Sequence, residues 1–183
     1  MFQPARRPPV MMAVAASEPA LLQAGAVGLW WLKRWAPSGI RAAITDRWMD
    51  RAALGAQWPF STRLIEAEQV HGASLAVIQG SAAVSAPIAG CDALITDVPG
   101  TALLIRTADC LPIFVADPVR RAVGLAQAGW RGLAAQLPLR LIAAFRDVYH
   151  SRPEDLRAAI GPAIRSCCYE VGQEFLARFG RRV

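Results

Sequence analysis

A chain of 183 residues, 54% of them apolar, has material for one domain with its own core and is too hydrophobic for a disordered protein. Its net charge of +6 comes almost wholly from arginine, and no aromatic-interleaved basic stripe marks a nucleic-acid binder, although anions such as phosphate suit it. No apolar run is long enough to cross a bilayer, and four cysteines with no C-x-x-C pair fit a reducing cytoplasm.

In chain order, residues 1–38 are Pro- and Ala-rich and read as a partly disordered N-terminal extension, with a single domain over 39–183. Arg6 and Arg7 ahead of "VMMAVAAS" outline a secretory signal, but Pro8 and Pro9 interrupt it. The tryptophan-rich "GLWWLKRW" (28–35) reads as a packed helix or oligomer surface in preference to an interfacial membrane anchor. "GIRAAIT" predicts a strand, and 47–56 suits a helix.

From residue 63 the period changes. "LIEAEQV", "SLAVIQ", "DALIT", "ALLIRT", "PIFVAD" and "AVGLAQ" are short apolar or alternating runs bounded by Gly, Pro, Asp or Ser, as strands are. "DPVRR" between the last two predicts a hairpin. Leu133, Leu137, Leu141, Phe145 and Val148 recur at helical spacing over 131–149, and Pro138 within them implies a kink or a helix start. "DLRAAIG" then predicts a strand and "EVGQEFLARF" a closing helix. Strands in runs with helices outside them imply a layered mixed α/β fold and not a βαβ repeat.

Chemistry concentrates at a few positions. Cys110, at the edge of an apolar strand, is by statistics a packing residue, yet Asp109 and Thr107 make its neighbourhood polar. His71 ends a strand before a glycine; such a lone histidine is usually structural or solvated. Gly129 and Gly132 of "GWRG" permit a tight strand-to-helix turn, where Arg131 and backbone N–H groups would suit an anion. The plain alternative is a turn with Trp130 as a core plug. Cys167 and Cys168 are adjacent and read as free thiols, since a bridge between them would be strained.

"EQVHG", "CDALIT", "TADCLPI", "AGWRG" and "GPAI…CYEV", in that order, resemble the laccase-domain family, once called multicopper polyphenol oxidoreductase, over about residues 39–176. The family includes the peptidoglycan editing factor and purine-nucleoside enzymes. The resemblance implies an α/β (α+β type) fold in α/β/β/α layers shared with certain cysteine-dependent toxins, here incomplete at the C-terminus. It also implies phosphorolysis of adenosine or inosine and deamination of adenosine, with a nucleoside and phosphate as partners and neither specific nucleic acid nor membrane.

In that family one metal, zinc or copper, is held by two histidines and a cysteine. Carried over, the ligands are His71, Cys110 and the position of Gln127, and His71, Cys110 and Arg131 are the catalytic candidates. Arg131, Arg47 and Arg106 are the candidates for phosphate. A glutamine amide is a poor zinc donor beside imidazole, so the metal is expected to be weakly bound or absent unless Asp109 substitutes. The segment between Arg47 and Gln69 is also shorter than in the family. Two alternatives remain open: a metal-free hydrolase with Cys110 as nucleophile and His71 as base, and a non-catalytic remnant or binding protein.

Overall fold

The structure, a computed structural model, describes residues 10–15, 23–24, 28–32, 40–57, 63–80 and 86–180. Its elements are β1 (Val10–Ala15), β2 (Gln23–Ala24), β3 (Leu29–Trp31), β4 (Arg41–Thr45), α1 (Arg51–Gln57), β5 (Arg63–Glu66), β6 (Leu75–Ile78) and β7 (Ala93–Thr96). They continue with β8 (Thr101–Thr107), β9 (Leu111–Asp117), β10 (Ala122–Ala128), α2 (Trp130–Ala134), α3 (Leu137–Tyr149), β11 (Arg157–Ile160) and α4 (Gln173–Phe179). The strands form a six-stranded sheet in the order β2-β3-β4-β1-β8-β5 and a five-stranded sheet in the order β11-β9-β10-β7-β6.

Alternation along the central strands builds the layers. In β8, Leu103 and Ile105 turn inward to Phe114, Ala116 and Leu125 of the other sheet, while Ala102 and Leu104 turn outward to Leu54 of α1 and to Met49. In β9 and β10, Ile113, Val115, Ala122 and Ala126 turn outward to Leu137, Leu141 and Phe145 of α3. The result is helix, sheet, sheet, helix, the α/β/β/α order that the resemblance implies.

Most predicted strands stand where the apolar runs place them, and "DPVRR" closes the β9–β10 hairpin, with Asp117 paired across it to Ala122. The 131–149 helix divides. Gln136 takes a left-handed φ of 60°, and α3 starts afresh with Pro138 in its first turn, where a missing N–H costs nothing. The tryptophan-rich segment departs from expectation: Leu29–Trp31 is a strand between β2 and β4, where aromatic side chains suit a pleated surface, and the rest of 33–35 lies outside the described residues. The boundary set at residue 38 has β1, β2 and β3 on its N-terminal side, all paired in the larger sheet; the remainder of that extension lies outside the described residues.

Register decides where function can gather. β8 runs parallel to β5 and antiparallel to β1, which runs antiparallel to β4, so β4, β5 and β8 all finish at one end. The short turn after Thr107 starts β9 at that same end, and β10 finishes there. Consequently the segments around Asp46, Gln69, Cys110 and Gly129 all lie at one end of the sandwich.

Candidate active site

His71 and Cys110 meet at that end. The Cys110 Sγ lies 3.8 Å from His71 Nδ1, a hydrogen-bonded thiol–imidazole pair between residues 39 apart in sequence. Gly129 closes the approach from the end of β10: a Cβ there would stand 3.1 Å from the sulfur and 3.3 Å from Nδ1. Its φ of −71° is open to any residue, so glycine serves space here and not conformation. A Cβ on Gly132 would lie 2.8 Å from the Gly72 carbonyl, which ties the "GWRG" turn to the loop that carries His71.

The loop itself is strained and gripped. Gln69 and His71 take φ of 64° and 59°, values that L side chains rarely adopt. Asp92, fully buried at the start of β7, holds the geometry by accepting from the His71 and Gly72 backbone N–H groups, each at 2.8 Å. The two charge-assisted bonds offset the backbone cost.

Gln127 faces inward with Leu125, between the sheets. Its Oε1 accepts from Gln69 Nε2 at 2.7 Å, and Gln69 also donates to the Arg106 carbonyl at 2.6 Å and accepts from the Arg106 N–H at 2.7 Å. Gln127 is only 4% exposed, and its Nε2 has no hydrogen-bond partner among the described residues. A buried amide nitrogen without an acceptor costs about 1–3 kcal/mol, so this group is expected to take water or a ligand.

Two of the three arginine candidates, Arg131 and Arg106, are paired with carboxylates. Arg131 donates through Nη2 to both oxygens of Glu174, at 2.8 and 2.9 Å, with its guanidinium carbon 4.2 Å from the centre of the Trp130 ring. Arg106 pairs with Glu66 at 2.6 Å. Arg47 is exposed beside the Trp48 ring, at the same sheet end. Trp130 is half-buried and not a core plug: Phe175 of α4 meets it edge-on at 5.9 Å, and Tyr169 meets Phe175 at 6.2 Å. The Ile164 N–H donates to the Asp109 carbonyl at 3.0 Å, so the chain from 164 to 179 packs as a cover on the "GWRG" turn beside the pair, with His71 itself exposed.

Burial first, then the charges of Asp109 and Asp92, push the Cys110 thiol above its ordinary range. That direction works against a resting thiolate and therefore against the nucleophile of the metal-free hydrolase, although the distance would serve it. The motif reading found His71 and Cys110; it missed the roles of Asp92 and Gln69. Both stand inside the quoted "CDALIT" and "EQVHG", so motif membership was the available signal, while their partners lie 20 to 58 residues away.

A thiol–imidazole pair at one end of an α/β/β/α sandwich defines a cysteine–histidine site on a laccase-domain scaffold. The family model for multi-copper polyphenol oxidoreductase laccase matches residues 46–183, and the chain belongs to this family. It is 38% identical over 115 residues to purine nucleoside phosphorylase YlmD of Geobacillus stearothermophilus, covering 60% of this chain and 42% of that protein. It is 37% identical over 136 residues to purine nucleoside phosphorylase ORF3 of Streptomyces griseus, covering 70% and 55%. The chain thus spans about half the length of the curated relatives it matches. The crystal structure of YlmD from Geobacillus stearothermophilus superposes with a TM-score of 0.73 at 31% identity, over 87% of this chain and 71% of that one. That of YfiH from Bacillus licheniformis gives 0.77 at 23%, over 89% and 73%, a likeness of fold.

The family description names copper, and the donors present can be tested against a metal. His71 and Cys110 are close enough to share an ion, but the third corner does not fit. The one Gln127 atom able to ligate, Oε1, is taken up by Gln69, and an amide NH2 is no donor to a cation. Asp109 does not repair the set: among the described residues no three His, Cys, Asp or Glu side chains gather as metal ligands. Among the described residues, no helix is long and apolar enough to cross a membrane.

Proposed function

We propose that the chain processes purine nucleosides by phosphorolysis, with His71, Cys110 and Arg131 as its working residues. The observation that carries this reading is the His71–Cys110 contact at 3.8 Å beneath Gly129, in a chain whose relatives are named purine nucleoside phosphorylases. A phosphate oxygen attacks the anomeric carbon of the sugar, the bond to the purine nitrogen breaks, and its electron pair leaves with the base. With the Cys110 thiol donating to His71 Nδ1, the imidazole carries its proton on Nε2, from which it donates a hydrogen bond to the departing purine nitrogen and steadies its negative charge until solvent protonates it. No step is routed through a metal.

Arg131 is assigned to phosphate, which competes with Glu174 for its guanidinium; Arg47 shares that end of the sandwich and is the second cation proposed. The unpartnered Gln127 Nε2 offers a neutral donor at the inner wall. A nucleoside and inorganic phosphate as substrates accord with a cytoplasmic setting.

Inosine with inorganic phosphate is expected to yield hypoxanthine and ribose 1-phosphate, and adenosine to yield adenine, with no release when phosphate is omitted. Absence of base release from inosine, adenosine and guanosine overturns the reading. Conversion of adenosine to inosine instead would replace phosphorolysis by deamination.

A further inference from the structure

Cys167 and Cys168 take no part in the site as described, yet their sulfurs lie 3.1 Å apart, closer than two unbonded sulfurs ordinarily rest. Neither is held in a disulfide, and both are exposed. They ride on a turn fixed at its base, since the N–H groups of Cys168 and Tyr169 both donate to the Arg165 carbonyl at 3.0 Å. Neither side chain is buried in a core that would explain a cysteine by packing.

We propose that Cys167 and Cys168 form a thiol–disulfide exchange site that takes small disulfides as co-reactants and closes to a vicinal bridge. One cysteine thiolate attacks a sulfur of the small disulfide, forming a mixed disulfide and releasing one thiol. The neighbouring cysteine then attacks the protein-side sulfur, which forms the Cys167–Cys168 bond and expels the second thiol. Two electrons pass from the two cysteines to the small disulfide, and the two protons leave on the released thiols. Closure asks each sulfur for little movement, because a bond of about 2.05 Å replaces the present contact. Adjacent residues hold their Cα atoms about 3.8 Å apart, nearer than a relaxed bridge prefers, so the bond is readily reversed. That property suits a reversible switch and not a structural staple.

The position gives the switch a target. Tyr169 follows directly and packs on Phe175, which packs on Trp130, and Ile164 is bonded to the residue before Cys110. Burial first, and then the Cys110 thiol, push the Tyr169 phenol above its ordinary range. Re-forming the turn at 167–168 therefore moves the aromatic wall beside Cys110. None of this depends on the assigned phosphorolysis.

The test incubates the full chain with oxidised and reduced glutathione in graded ratio, alkylates the remaining thiols and maps peptides by mass spectrometry. The expected result is a peptide bearing both cysteines that lacks two hydrogens, takes up no alkylating agent and recovers both sites on reduction. Cys168→Ser is expected to stop at a single glutathione adduct on Cys167. The alkylation rate of Cys110 is expected to change several-fold between the oxidised and reduced chain. Retention of two alkylatable thiols at every ratio, or two glutathione adducts with no internal bridge, overturns the proposal. An unchanged Cys110 rate in the bridged chain overturns its coupling to the site.

Discussion

The His71–Cys110 corner and the cover that flanks it are built on opposite principles. The corner is held from inside: Asp92 is fully buried, Gln69 joins two strands, Gly132 leaves no room for a methyl group and Gly129 leaves little. The cover is held from outside, by an Arg131–Glu174 pair with both side chains more than half exposed and by edge-on aromatic contacts. A reacting pair needs a fixed geometry, whereas substrate must enter and leave, so rigid and loose parts are divided between the two regions.

The sharpest way to break the contrast is Asp92→Ala, which leaves two part-buried backbone N–H groups without their carboxylate acceptor and removes the grip on a loop with two left-handed residues. A loss of about 3 kcal/mol is expected in denaturant unfolding, together with loss of the Cys110–His71 geometry. Gly132→Ala follows, because backbone must shift to admit its Cβ, and about 1–3 kcal/mol of destabilisation is expected. Gln127→Leu removes both the bond to Gln69 and the orphaned nitrogen; these oppose each other, and a change within about 1 kcal/mol is expected. Gln127→His supplies a third ligand, and the second nitrogen, to the set begun by His71 and Cys110, and metal analysis is expected to find far tighter zinc binding than in the parent. At the small end, Glu174→Ala on the cover is expected to cost no more than about 0.5 kcal/mol of stability while strengthening phosphate binding by freeing Arg131.

The raised Cys110 thiol adds a pH dependence to the corner. A group whose pKa is higher folded than unfolded binds its proton more tightly in the folded state. Its stabilisation is whole below the ordinary thiol range and is lost as pH rises through the raised value. Iodoacetamide trapping of Cys110 is accordingly expected to reach half-maximal rate at higher pH than for an exposed cysteine of the same chain.

The same division explains what the sequence revealed. β8, β9 and β10 alternate between two apolar faces, so their hydrophobic runs bound them closely, and Pro138 marked the start of α3. Of the two expectations for the tryptophan-rich segment, a packed helix or an oligomer surface, the strand at Trp30 and Trp31 replaces the helix, because three residues are too few to display a period. His71 and Cys110 were legible through the motifs around them. Asp92 and Gln69 were not, since a polar residue at a strand end has no periodic signature and its partners are brought to it only by the sheet. Gln127 was legible as a departure from the family, but its engagement by Gln69 belongs to the folded chain alone.

The most direct test compares inosine phosphorolysis by the parent chain with that of His71→Ala under identical phosphate. The account predicts phosphate-dependent hypoxanthine release by the parent and a loss of about 100-fold or more in the variant, the usual contribution of a positioned hydrogen-bond donor. An inert parent, or a variant as fast as the parent, would contradict it.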